Sequence, residues 1–331
     1  MTADPATKAP IPTPAADVRC PLCDYDLRGL AEPRCPECGF RFEWADLTDP
    51  ARRVHRYLFE HHPQRNVWSF FRTVFAGFVP ARFWSSIHPA QRSRLLRLGL
   101  YWALALVPLV VVVASYYGLW FAQATATTSS LRAINTASVT PSQRAALSQQ
   151  YGSYNQFLDE FYPLPPSRRF FSNAWQEEGW WTIHLATFWV VWPLLLFVTM
   201  LLFRISMRRA RIRPVHMLRC VLYSYDAVFW LAPPLAAAVA LKVLNWYGLF
   251  PSRMFLPTAP IPRNHIWQYR PEFFTDILFW GGLVLVILTA YRLTVALRHY
   301  LRFDHAVATV LAAHVIAAML LVIAVARHWV P

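Results

Sequence analysis

The sequence predicts an all-α integral membrane protein: a five-helix transmembrane bundle with a small N-terminal zinc ribbon. Three observations carry this expectation. Of 331 residues, 56% are hydrophobic and only 15% charged, against roughly 25% charged in a soluble domain, so too little surface is fit for water. Five stretches reach the length of about 20 mostly apolar residues that a helix needs to cross a bilayer. Four of the five cysteines form two C-x2-C pairs separated by eleven residues. The charge shortage excludes a disordered chain and argues against an ordinary soluble enzyme, and five cysteines are too few for a disulfide scaffold. The net charge of +14, with pI near 10.0, asks for an anionic partner, either nucleic acid or phospholipid headgroups.

Residues 1–17 are Pro/Ala-rich and lack an apolar h-region, so they read as a disordered lead rather than a signal peptide. Residues 18–48 carry Cys20-Pro-Leu-Cys23 and Cys35-Pro-Glu-Cys38-Gly39. Two such turns aim four thiolates at one centre, which suits one closed, structural Zn²⁺ site. Gly39 gives the backbone freedom that the second turn needs. Iron in a rubredoxin-like site has the same ligand set and stays open. A redox disulfide is disfavoured, because two pairs stand together with no βαβ pattern around them. From Asp17 to Asp49 the net charge is −4, the wrong sign for phosphate contacts, so no nucleic acid is expected. The ribbon either holds a protein partner or only caps the chain; both readings stand at this point.

Residues 49–97 form a basic neck. Arg52 to Arg97 holds nine arginines and a single acid, Glu60. Asn66 is the expected cap of a short helix with Val67, Phe70, Phe71, Val74, Phe75 and Phe78 on one apolar face. Trp68, Phe71, Arg72, Phe75, Arg82, Trp84, Arg94 and Arg97 are the candidate membrane-interface residues, with rings in the acyl boundary and arginines among anionic headgroups. A helix packed beneath the bundle fits the same pattern.

The spans are expected near 98–122, 181–203, 226–246, 274–297 and 306–326, within a membrane domain over 98–331. The third has an apolar lead-in at Val215–Tyr225. An inside N-terminus places 23 Lys and Arg on the inner side against 8 outside, so the N-terminus is expected inside and the C-terminus outside. The first outer loop, Gln123–Trp180, should contain a helix capped at Thr140 and opened by Pro141, with Leu147, Tyr151, Tyr154, Leu158 and Phe161 in one stripe. The third loop, Gly248–Pro271, with five prolines, should be extended.

Ionisable groups within spans are costly and therefore informative. In an antiparallel pair, residues at equal depth have a constant number sum. Lys242 with Asp276 and Asp226 with Arg292 share one sum, and helix phase permits one of these pairs, with snorkelling as the simpler alternative. Pro108, Pro193 and Pro233–Pro234 interrupt three spans, as harmless kinks or as a transport site. No H-E-x-x-H, G-x-S-x-G or P-loop motif is present, and His184 with His314 do not by themselves make a metal or haem site. Cys220 reads as buried rather than reactive.

The Cys20–Phe40 stretch, with Tyr25-Asp26-Leu27-Arg28-Gly29 between the pairs and Arg34-Cys-Pro-Glu-Cys-Gly39 closing it, resembles the N-terminal ribbon of certain bacterial multipass proteins. From about Val67 to Ala326 the layout is similar to the Yip1 family of five-span proteins. The features that carry this are Pro80-Ala-Arg-Phe-Trp84 before the first span, Arg219…Tyr223-Ser224 leading into the third, and Ala296-Leu297-Arg298-His299 before the last. The resemblance implies a bacterial cytoplasmic (inner) membrane, no catalytic residues, and action through protein partners, with a homo-oligomer compatible. The expected function is a non-enzymatic inner-membrane protein whose ribbon mediates or steadies protein contacts. The alternatives are a small-solute or ion transporter using the broken helices, and a membrane enzyme using intramembrane histidine.

Overall fold

A computed structural model describes residues 18–164, 180–206, 212–246 and 272–329. Helices dominate, and no β-strand forms among the described residues. Among the described residues, four helices are long and apolar enough to cross a membrane: Leu95–Ser138, Pro214–Leu244, Asp276–His299 and Ala306–Ile323. Only 28% to 39% of their apolar windows is buried, so most of each greasy surface faces outward. A soluble core would bury such helices on all sides; lipid need not.

The described residues do not support the expected count of five. At the second expected span the helix covers Trp180–Ser206, but its described apolar part, Thr187–Leu202, is a shorter segment. The lead, residues 1–17, and the Pro-rich third loop lie outside the described residues.

Contacts divide the chain into two units, one of Met1–Leu106, Val190–Phe229 and Val284–Pro331, the other of Val107–Trp189 and Trp230–Leu283. In the first, short helices α1 (Trp44–Thr48), α2 (Asn66–Ala76) and α3 (Pro80–Ser86) precede α4 (Leu95–Ser138). Arg65, not Asn66, is the N-cap of α2. The apolar face of α2 divides. Phe70 and Val74 point inward, while Val67, Trp68, Phe71, Phe75 and Phe78 stay exposed.

Helix α4 runs 44 residues, about 66 Å at 1.5 Å per residue, far beyond the hydrocarbon core. It absorbs the first part of the expected outer loop. Thr125, Thr128, Ser129, Ser130 and Thr136 each donate their hydroxyl to the carbonyl four residues back. Polar residues that usually compete with a helix thereby satisfy themselves within it. The helix stops only before Pro141.

In the second unit, α5 (Pro141–Tyr151) has the expected cap as a full capping box: Gln143 N–H donates to Thr140 Oγ1 at 3.3 Å, and Thr140 N–H to Gln143 Oε1 at 2.9 Å. The expected stripe is broken after Tyr151. Gly152, at φ 82°, ends the helix, and Ser153 caps α6 (Tyr154–Phe161). Helix α7 (Trp180–Ser206) presents Trp189 to Gly282, where any Cβ would collide with the indole.

Helix α8 (Pro214–Tyr225) passes through a 3-10 stretch, Asp226–Leu231, into α9 (Ala232–Trp246). Pro233 and Pro234 have no N–H to give, and their rings clash with carbonyls four residues back, so the preceding turn tightens. The third span thus begins at Pro214, the lead-in included. Helices α10 (Glu272–His299) and α11 (Ala306–Trp329) complete the chain.

Candidate metal centre and buried ionic cluster

The two cysteine turns are built alike. Cys20 N–H donates to Tyr25 O at 2.8 Å and Asp24 N–H to Cys20 O at 2.9 Å; Cys35 N–H donates to Phe40 O at 2.9 Å and Gly39 N–H to Cys35 O at 3.0 Å. An isolated bridge flanks each turn at matching positions, Arg19 with Asp26 and Arg34 with Arg41. Asp24 (φ 68°) and Gly39 (φ 71°) occupy equivalent left-handed positions. The freedom expected at Gly39 is used; the same demand at Asp24 is met by a residue type that tolerates it.

The four sulfur atoms lie within 4.8 Å of one another, with Cys20–Cys38 at 3.6 Å and Cys23–Cys35 at 3.5 Å. A tetrahedral site with metal–sulfur bonds of about 2.3 Å has sulfur–sulfur edges of about 3.8 Å. Disulfide sulfurs would stand at about 2.05 Å. The donor set therefore fits a metal ion and not a disulfide. A hydrogen bond from Cys38 holds the Cys20 thiol down to about 5, while burial pushes Cys23 up to about 12. A bound cation's charge would favour the thiolate form of all four.

Gly39→Ala should weaken metal retention about tenfold, because a left-handed alanine costs roughly 1–2 kcal/mol. Its Cβ would meet nothing closer than Arg34 Nη2 at 3.8 Å, so no clash adds to this. A chelator titration reads the shift, and an unchanged midpoint would contradict it.

The ribbon is seated on α8. Arg213 N–H donates to Leu22 O at 2.7 Å, and His216 Nε2 bonds Pro21 O at 2.7 Å. Both acceptors lie inside the first cysteine turn. Because a carbonyl can only accept, His216 carries its proton on Nε2, and Nδ1 then accepts from Tyr300 OH at 2.6 Å.

From Tyr300 the network runs inward. Arg219 Nη1 donates to Tyr300 OH at 3.0 Å, and its Nε and Nη2 grip the Glu60 carboxylate at 2.9 and 3.0 Å. Tyr223 OH donates to Glu60 Oε1 at 2.8 Å and Arg94 N–H to Glu60 Oε2 at 3.1 Å. Glu60 and Arg219 are both 0% exposed. Burial raises the Glu60 pKa, but the charge and hydrogen bonds of Arg219 outweigh it, leaving the carboxyl below its usual range. The turn that presents Glu60 is held by histidines: His55 N–H donates to His61 Nδ1 at 2.8 Å, and His61 Nε2 bonds Arg92 O at 2.8 Å. Burial pushes His55 down to about 4, so it is neutral there at physiological pH.

The expected contact between Asp226 and Arg292 is present among the described residues. Arg292 pairs with Asp226, which also accepts from Tyr101 OH. Arg292 further donates to Tyr223 O at 2.8 Å and passes Gly77, where a Cβ would collide with its guanidinium. Lys242 lies 4.4 Å over the Tyr116 ring, and Asp276 is exposed.

Among the expected interface residues, Trp68, Phe71, Arg72, Phe75, Arg82 and Arg94 are exposed. Trp84 is not: it is 0% exposed, packed against Phe83, Tyr223 and Tyr300. Arg97 also turns inward, donating to Phe59 O at 2.7 Å over the Phe59 ring. Aromatic–arginine interleaving does not distinguish a ring facing lipid from one facing the core; α3 turns Trp84 inward.

The side chain of His184 lies outside the described residues. His314 bonds Val310 O through Nδ1 at 2.9 Å and faces Trp192. Cys220 is buried, as expected. Glu60, Arg219, Tyr223, His216 and Tyr300 were not among the expected site residues. The available signal was Glu60 itself, the one acid in a strongly basic stretch.

Comparison of the chain with models of known protein families, with characterised proteins and with solved structures gave no match. The similarity to the Yip1 family therefore has no family match behind it.

Proposed function

We propose that this chain is a non-enzymatic membrane protein of the bacterial inner membrane, in which a zinc-held ribbon steadies the membrane helices on one side and offers a protein partner the other. The observation that carries the reading is the double hydrogen bond from Arg213 and His216 to the first cysteine turn. It makes the metal turn a docked part of the body, while Tyr25, Arg28, Glu32 and Glu37 remain exposed on the ribbon. Zinc is favoured over iron because the structural role needs no redox chemistry. The exposed aromatics Trp68, Phe71, Phe75 and Phe78, flanked by Arg72 and Arg82, suit an in-plane contact with anionic lipid. Yip1-like membrane organisation remains the family-level form of this proposal.

Cross-linked pull-down from native membranes tests it. Cys35→Ser should lose partners that wild type retains, while membrane insertion is kept. Partners that stay bound without the four-thiol site would reduce the ribbon to a cap.

We further propose that Trp180–Ser206 completes a fifth crossing, with the N-terminus inside. Reporters fused at the two ends should then fall on opposite sides of the membrane. Reporters on one side would mean an even number of crossings. Transport is the competing reading, favoured by the 3-10 break at Asp226–Leu231. Against it, the acid that opens the break, Asp226, is already paired with Arg292.

A further inference from the structure

We infer that a cleft between the ribbon, the neck and the start of α8 binds a phosphate-bearing anion. The cleft has a volume of about 330 Å³, and its lining includes Pro21, Arg92, Ser93, Leu95, Arg213 and His216, with no acidic residue.

Three features specify the ligand's chemistry. Two arginines, Arg92 and Arg213, line it from separate segments. Arg92 is exposed and its side chain makes no hydrogen bond or ion pair among the described residues. Arg213 has Asp24 at 3.9 Å, both half exposed, a contact too distant and too solvated to saturate it. Guanidinium is the side chain suited to bidentate phosphate recognition. Second, Ser93 lines the cleft, and its buried hydroxyl has no hydrogen-bond partner among the described residues. Third, the first turn of a 12-residue helix opens here, adding a positive dipole end to the two charges. The buried charge beneath does not compete, because Arg219 is already paired with Glu60.

Position narrows the source. Leu95 begins one candidate membrane helix and Pro214 another, so the cleft lies where two such helices start, at headgroup level if both cross. A phosphodiester on an anionic lipid has this chemistry, and so does a soluble phosphate. Pro21 contributes the ribbon's share of the wall, so the inference rests on the docked, metal-held ribbon.

The test uses the full chain in detergent, delipidated, with bound metal quantified in every sample. Native mass spectrometry follows titration with phosphatidylglycerol, with phosphatidylcholine and with inorganic phosphate. Wild type should bind phosphatidylglycerol well above phosphatidylcholine. Arg92→Gln with Arg213→Gln should weaken that binding about thirtyfold, each arginine near a headgroup contributing roughly fivefold. Inorganic phosphate binding as tightly, with the same sensitivity, would assign the cleft to a soluble anion and still uphold it. Metal-loaded wild type that binds neither probe, or a double variant that binds phosphatidylglycerol unchanged, would overturn the site. Loss of metal from wild type strikes the ribbon reading instead, a separate result. Should the double variant not fold, the exposed Arg92→Gln alone should show the fivefold loss, and an unchanged affinity there overturns the inference equally.

Discussion

Glu60→Gln should destabilise the folded protein by about 3–5 kcal/mol, the usual cost of leaving a buried charge without its partner. Arg219 would keep its full charge at 0% exposure, bonded to a neutral amide in place of a carboxylate. Size is conserved, so a cavity does not explain the loss. The decisive control is the double variant Glu60→Gln, Arg219→Met. Removing both charges should recover much of the stability, since the penalty belongs to the orphaned cation rather than to a missing contact. Thermal unfolding in detergent reads both. A wild-type melting profile for Glu60→Gln would show that Arg219 is not isolated from water.

The same residue sets a pH dependence. The folded pKa of Glu60 is lowered, so its contribution is fully present above the unfolded carboxylate value, about 4.3. It declines as pH falls below that value and is gone once the folded carboxyl protonates. Glu60→Gln should lack this segment of the acid profile.

Stripping the metal should unfold residues 18–48 while the membrane helices persist. The ribbon buries Val18, Cys20, Leu22, Leu27, Cys35, Phe40, Phe42 and Leu47, a small set in which two members are thiols of the metal centre, whereas a structural zinc site supplies about 10–16 kcal/mol. Its undocking should also expose the Arg213 amide, which donates to Leu22 O. Hydrogen exchange after chelation should therefore speed up across the ribbon and at Arg213 together. Continued protection of both without metal would mean that packing on α8, rather than coordination, holds the ribbon.

Much of this was legible from local pattern. The cysteine spacing located the metal centre because both turns are closed by hydrogen bonds within five residues. The cap at Thr140 and the helix opened by Pro141 follow from adjacent residues in the same way. The Asp226–Arg292 pair was readable at long range because antiparallel helices at equal depth leave one number, the sum, to match. Trp84 was not readable, since its environment is set by Tyr223 and Tyr300, far along the chain. The extent of α4 was missed because Ser and Thr normally speak against helix, and their bonds four residues back remove that objection.

Sequence by itself determined the apolar helices and the four-thiol centre, since each is written within one turn or one run of about 20 residues. Only the tertiary structure decided that Glu60 meets Arg219 across 159 residues and that the ribbon seats on α8. Those contacts depend on where whole helices are brought side by side, and a pairing code of that reach has no period or spacing to show in the chain.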